Sequence, residues 1–259
     1  MKRIHLHSCL AIAFYFLVAC GQQTDTTASY ETETDENEGF TSMFDGRSLD
    51  GWDGDPAYWR VEEETLIGEI TEGVDLPHNT FLIWQKSQPG DFEMKGEFKI
   101  SESGNSGIQY RSEKLEDIPY ALKGYQADMD GKHNYTGQNY EERKRTTLAY
   151  IGQKTRINPQ EKEGDLRANI ERNAWLGLEV VESLGDQDSL RSLMHKEDWN
   201  EFRIVAEGNR LQHFINGVLI SDVTDDDPAN RAMEGYLGIQ VHRGPPMKVA
   251  LKNLYLKEQ

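Results

Sequence analysis

Residues 92–100 read Phe-Glu-Met-Lys-Gly-Glu-Phe-Lys-Ile. Phe92, Met94, Phe98 and Ile100 fall on one side of the segment, and Glu93, Lys95, Glu97 and Lys99 on the other. A period of two with one apolar side specifies a strand buried on one face, because successive strand side chains point to opposite faces; a helix would scatter the pattern around its axis. The alternation recurs. Ile108 and Tyr110 alternate with Gln109 and Arg111, and Tyr125, Ala127 and Met129 alternate with Gln126, Asp128 and Asp130. Leu237, Ile239 and Val241 alternate in the same way with Gly238, Gln240 and His242. Residues 202–206, 211–215 and 218–220 form a meander with turns at 207–209 and at Asn216-Gly217, and Asn-Gly between apolar strands is a two-residue hairpin signal. Residues 248–256 add a closing strand. One helix is expected near residues 188–195, inside a long insertion at 134–198. No helix alternates with strand, so the pattern predicts an all-β fold: a two-sheet antiparallel jelly-roll sandwich with a short helix in a long insertion.

The N-terminal residues read as an address. Lys2 and Arg3 precede an apolar run at 11–19, shorter than the roughly 20 residues a membrane-spanning helix needs but suited to a signal-peptide core. The run ends in Leu17-Val18-Ala19-Cys20-Gly21, which resembles a bacterial lipobox and implies cleavage before Cys20 and lipidation of its sulfur. The expected organisation is a signal peptide at 1–19, a disordered acidic tether at 20–39 and one β domain at 40–259. Residues 21–38 hold six acidic side chains and no Lys or Arg, too little apolar surface to order themselves. The expected location is the bacterial cell envelope, lipid-anchored at the outer membrane, periplasm or cell surface. Cys9 and Cys20 are the only cysteines, which excludes a disulfide, a Cys-ligated metal or a thiol nucleophile in the rest of the chain. A net charge of −17 argues against nucleic acid and against anionic membrane surfaces as partners, leaving the lipid anchor as the membrane link.

Parity also gathers a polar set on the non-core side of the strands: Glu97, Gln109, Arg111, Gln126, Asp128, Gln240 and His242. A solvated face usually carries Lys, Glu and Thr. Arg, Asp, His and several Gln instead suit the concave side of a curved sheet that binds a polyhydroxylated ligand.

Ten segments in order carry a family resemblance. They include Phe44-Asp-Gly-Arg-Ser-Leu-Asp-Gly-Trp52, Tyr58-Trp59-Arg-Val-Glu, Gly104-Asn-Ser-Gly-Ile-Gln-Tyr-Arg111, Gly124-Tyr-Gln-Ala-Asp128, Gly238-Ile-Gln-Val-His242 and Gly244-Pro-Pro-Met247. The chain from about residue 40 onward resembles the 3-keto-disaccharide hydrolase domain family. The resemblance implies a concanavalin/laminin-G-like fold, often on a lipoprotein, and cleavage of glycosides oxidised at C3. A C3 ketone acidifies the C2 hydrogen; a base removes it, the enolate expels the C1 substituent, and water adds to the product. This chemistry needs a base near neutral pKa, a group that stabilises the enolate oxygen and a proton donor for the leaving group. His242 suits the base or the acid. Asp128 would orient it, act as base itself, or join it on a divalent cation, although no compact metal-ligand motif is present. Arg111 would anchor the enolate or a hydroxyl, and Glu97, Gln109, Gln126 and Gln240 would hold sugar hydroxyls. Asn105, beside Arg111, and Tyr140, Glu142 and Arg145, in the loop after the Asp128 strand, would rim the cleft. The rival expectation is a non-catalytic carbohydrate-binding module of the same fold, since a fold alone does not decide function.

Overall fold

The structure, a computed structural model, describes residues 37–159 and 177–259. The expected signal peptide, Cys20 and the expected tether up to residue 36 lie outside the described residues. Among the described residues no helix is long and apolar enough to cross a membrane.

Among the described residues, seventeen strands, numbered along the chain, form two sheets. The first runs, edge to edge, Leu178–Ser183 (β12), Gln153–Ile157 (β11), Val218–Asp225 (β15), Arg210–Ile215 (β14), Asn200–Glu207 (β13), Phe92–Ile100 (β6), Met247–Glu258 (β17), Thr65–Ile70 (β4) and Trp59–Glu62 (β3), with Thr41–Ser42 (β1) paired to β17. The second runs Thr146–Ala149 (β10), Asn139–Glu142 (β9), Leu122–Asp130 (β8), Asn105–Lys114 (β7), Tyr236–Val241 (β16), Thr80–Trp84 (β5) and Trp52–Asp53 (β2). Pairing is antiparallel except between β11 and β15.

The core follows the alternation. Phe92, Met94, Phe98 and Ile100 from β6 and Phe202, Ile204 and Ala206 from β13 are buried with Ile108, Tyr110, Tyr125, Met129, Leu237, Ile239 and Val241 of the other sheet. The Asn-Gly hairpin forms as expected. Asn216 and Gly217 both take positive φ, +48° and +77°, the backbone a primed two-residue turn requires.

The insertion differs from its sequence reading. Among its described residues, the helix expected near 188–195 (α1) spans Gln187–Arg191, capped by Asp186 accepting from Ser189 N, and it stops short of residue 195. The insertion also supplies β9 to β12. These are short or exposed strands; β12 is exposed along nearly its whole length. They take their register from neighbouring strands rather than from an apolar alternation of their own.

Candidate functional site

Strand register brings the polar set of the second sheet together. Across β7 and β8, Gln109 pairs with Gln126, Gly107 with Asp128 and Asn105 with Asp130. On β9, Tyr140 lies opposite Gln126 and Glu142 opposite Gly124. On the other side Gly238 of β16 faces Gln109, and Gln240 faces Phe81 of β5. Directly opposed residues share a face, so Asp128, Gln126, Gln109, Gln240, Tyr140 and Glu142 line one face, pointing away from the core.

A chain of amides holds Asp128. Gln240 Nε2 donates to Gln126 Oε1 (3.0 Å), Gln126 Nε2 to Asp128 Oδ1 (2.7 Å) and Gln138 Nε2 to Asp128 Oδ2 (2.6 Å). Gly107 keeps the ground beside Asp128 bare: a Cβ there would lie 2.6 Å from Gln126 Cγ and 2.9 Å from Ala127 O. Gly107→Ala is therefore expected to push Gln126 off Asp128 and to fill the space a ligand would take. Overpacking of this kind costs about 1–3 kcal/mol, and weaker ligand binding by calorimetry, with only a modest fall in melting temperature, is the expected result.

This is not a solvated outer face. Gln109 and Gln240 are fully buried and Asp128 is 9% exposed. One side is filled by a small separate core of Phe81, Ile83 and Leu122 with Tyr236 against it, and Phe81 N donates to Tyr120 O (2.9 Å) in the β7–β8 connection. On another side Asn79 Nδ2 donates to Glu142 Oε1 (3.2 Å), Arg243 N to Asn79 Oδ1 (3.0 Å) and Arg243 Nη1 to Pro77 O (3.1 Å). Within this enclosure Gln109 Oε1, Gln138 Oε1 and Gln240 Oε1 are buried without a hydrogen-bond partner. Each such orphan costs about 1–3 kcal/mol, and all three are acceptors.

Burial pushes the Asp128 carboxyl up to about 7; Gln126 and Gln138 oppose the rise, and Glu142 and Asp130 add to it. Burial also raises Glu142. His242, just after β16, donates its Nδ1–H to Arg243 O (2.6 Å), and its backbone N donates to Asn105 O (3.4 Å). A carbonyl can only accept, so neutral His242 carries its lone pair on Nε2. Burial lowers the His242 pKa, which keeps the ring neutral at pH 7.

His242 and Asp128 share the face but do not form a hydrogen-bonded pair. Two strand spacings, about 9.5 Å, and two residues along the strand, about 7 Å, separate their Cα positions on a flat sheet. Asp128 is instead buttressed from behind. Its backbone N donates to Gln138 O and its O accepts from Gly137 N. Buried His213 donates from Nδ1 to Gly137 O and Gln138 O (3.3 and 3.2 Å) and accepts from Tyr110 Oη at Nε2 (2.9 Å). Burial lowers His213 to about 4, so the ring stays neutral and this tautomer persists.

Three expected site residues are placed elsewhere. Arg111 sits at a bulge between Tyr110 and Glu113 with φ +44°, and a bulge re-aims its side chain. Its guanidinium is spent on Gly90 O (2.9 Å), Gly208 O (2.6 Å), Ala232 O (3.4 Å) and Asp91 Oδ1 (3.0 Å). Glu97 belongs to the other sheet, where it accepts from Asn253 Nδ2 (2.5 Å) and pairs with Lys252 (3.3 Å). Parity assigns a residue to the core or non-core side of its own strand, not to a sheet. Arg145 does not rim a cleft; it is buried among Glu141, Asp225 and Asp227. Sequence reasoning missed Gln138 and Asn79. The parity of Tyr140 and Glu142, extended two residues back along β9, points to Gln138; Asn79 lies before β5, where no alternation marks it.

Asp128 and His242 do not fit a divalent cation. Both Asp128 oxygens face amide hydrogens, which would repel one, and among the described residues no three His, Cys, Asp or Glu side chains converge. A separate hollow of about 390 Å³, lined by Gln153, Val180, Ser183 and Asp186 among others, lies along β11 and β12 of the other sheet and contains neither Asp128 nor His242.

A family model described as a 3-keto-alpha-glucoside-1,2-lyase-like domain matches residues 39–257. No curated protein matches the chain. Two candidate glycosyl hydrolases from Parabacteroides distasonis ATCC 8503 are similar in structure. One has 18% identity and a TM-score of 0.52, covering 87% of this chain and 97% of its own. The other has 14% identity and a TM-score of 0.52, covering 85% and 99%. At these identities the likeness is one of fold.

Proposed function

Because the chain belongs to the 3-keto-alpha-glucoside-1,2-lyase-like domain family, we propose that it is an enzyme that cleaves glycosides carrying a ketone at C3. The observation that supports this reading is Asp128: a carboxylate with a pKa near neutrality, held by amides on an enclosed face. A general base works best with a pKa close to the working pH.

In this reading the C2–H bond breaks and its proton passes to Asp128, leaving an enolate across C2, C3 and the C3 oxygen. The enolate collapses to restore the ketone, forms C1=C2 and expels the C1 oxygen, which takes a proton from Glu142. Water then adds across C1=C2: His242 Nε2 takes one water proton as the oxygen bonds to C1, C2 regains a proton from Asp128, and the proton on His242 passes through solvent to Glu142, resetting both groups. The net reaction is hydrolysis, with no step routed through a metal. The same reading puts the protein in the bacterial envelope, lipid-anchored through Cys20, with a 3-keto-glycoside as its partner.

The test compares nitrophenolate release from nitrophenyl 3-keto-glucoside and from the unoxidised parent, with and without EDTA. Release from the keto form alone, indifferent to EDTA and slowed about 100-fold or more in Asp128→Asn, is the expected result. Cleavage of the parent would point to an ordinary glycosidase. Binding of the keto sugar without turnover would overturn the enzyme reading in favour of a carbohydrate-binding module.

A further inference from the structure

The elimination needs a donor at the oxygen where enolate charge gathers, and Arg111, the residue expected there, is locked to three carbonyls and Asp91. Most other donors on the face already have acceptors. The side-chain amide nitrogens of Gln126 and Gln138 hold Asp128, Gln240 holds Gln126, Gln109 holds Gly124 O and Asn79 holds Glu142. The Tyr140 hydroxyl is different. It has no hydrogen-bond partner among the described residues, and its side chain is half-buried, between the closed interior and solvent. β9 places it directly opposite Gln126, the residue that grips Asp128.

We propose that Tyr140 is a further catalytic residue, its Oη–H donating to the C3 oxygen as the ketone becomes an enolate. The inference rests on the keto-glycoside reading and adds the group that reading lacks. As Asp128 takes the C2 proton, the C2–H electron pair moves into C2=C3 and the C3 carbonyl pair onto oxygen, where the phenol hydrogen bond strengthens. The proton stays on Tyr140 and returns to its original bond strength when the ketone reforms and the C1 substituent departs. Burial pushes the Tyr140 phenol up to about 12, with Glu142 and Asp128 adding to the rise. It therefore remains a donor throughout the neutral range. Its neighbours favour that protonated form, so the site does not hold a phenolate that would repel the enolate.

The test separates enolate formation from bond cleavage. A 3-keto C-glucoside has carbon in place of the leaving oxygen at C1, so it can enolise but cannot eliminate. Its exchange of C2–H for deuterium in D₂O is followed by NMR with the full-length protein, Tyr140→Phe and Asp128→Asn. Phe keeps the ring and removes only a hydroxyl that bonds nothing in the protein, so an unchanged melting temperature is the folding control. The expected result is exchange by the wild type, slowed about 100- to 1000-fold in Tyr140→Phe and lost in Asp128→Asn. With the nitrophenyl 3-keto-glucoside, kcat should fall by a similar factor while KM stays nearly constant, since the hydrogen bond matters most in the transition state. Exchange at the wild-type rate in Tyr140→Phe, with Asp128→Asn inactive, would overturn the role of Tyr140 and leave the reaction standing. A wild type that neither exchanges C2–H nor releases nitrophenolate would overturn the reaction itself.

Discussion

Asp128→Asn should do two opposite things: remove turnover of a 3-keto-glycoside and make the folded protein more stable above neutral pH. An amide cannot take the C2 proton, so kcat is expected to fall by about 100- to 10,000-fold, the usual contribution of a positioned base. The stability effect follows from burial. The folded-state pKa of Asp128 is raised from 3.8 to about 7, so between those values the unfolded chain releases a proton that the folded protein keeps. Stability then falls as pH rises through that window, and above pH 7 the fold carries the cost of a buried carboxylate. Asn removes that cost and keeps an oxygen that accepts from Gln126 or Gln138. Urea unfolding from pH 4 to 9 should show the wild type losing stability relative to Asp128→Asn until about pH 7, then a constant gap of a few kcal/mol at most. A mutant less stable at pH 8 would mean that Asp128 is a structural ion. The same ionisation gives activity its pH profile. A base must be deprotonated and the donor Glu142 protonated, so kcat/KM should rise from about pH 5 towards about 7 and fall at higher pH as Glu142 ionises.

The largest effect on folding is expected at Arg145. Its guanidinium contacts Glu141 Oε2 at 2.6 Å, Asp225 Oδ2 at 2.5 Å and Asp227 Oδ2 at 3.5 Å, with all four side chains buried. Tyr125 Oη also donates to Asp225 Oδ2 (2.5 Å). Arg145→Ala leaves three carboxylates in the interior with their central cation gone, and breaking a buried pair in this way costs about 3–5 kcal/mol. Thermal unfolding should show a midpoint lower by about 6–20 °C, at the roughly 2–4 °C per kcal/mol expected for a domain of this size. Arg145→Lys should recover little, since an ammonium cannot reproduce the forked contacts to Glu141 and Asp225. A small shift in Arg145→Ala would mean that water and the nearby Lys144, 3.3 Å from Glu141, carry the compensation. The network matters for the site because Glu141 lies on β9 between Tyr140 and Glu142. It pins the core side of the strand whose other side faces Asp128.

The strands at 92–100, 105–114, 122–130 and 236–241 were legible because alternation and turn chemistry are local. Phe92 to Ile100 cannot bury its apolar side in any other backbone form, and Asn216-Gly217 accepts the positive φ a tight hairpin imposes. The same alternation pointed Gln126, Asp128 and Gln240 away from the core, and the structure joins those three in one chain of hydrogen bonds. The rest depended on groups distant in sequence. Glu97 has the right parity but lies in the other sheet, because sheet membership is set by pairing with β13 and β17. Arg111 has the right position but is turned by a bulge toward Gly90, Gly208 and Ala232. Arg145 reads as one more charge in a polar run until Asp225 and Asp227, about eighty residues on, close around it. The chain's own pattern therefore decided which segments are strands and which way each side chain points from its strand. Tertiary contact decided which of those side chains meet and how far they leave water, and the pKa of Asp128 with them, because charge and desolvation depend on neighbours that no local pattern specifies.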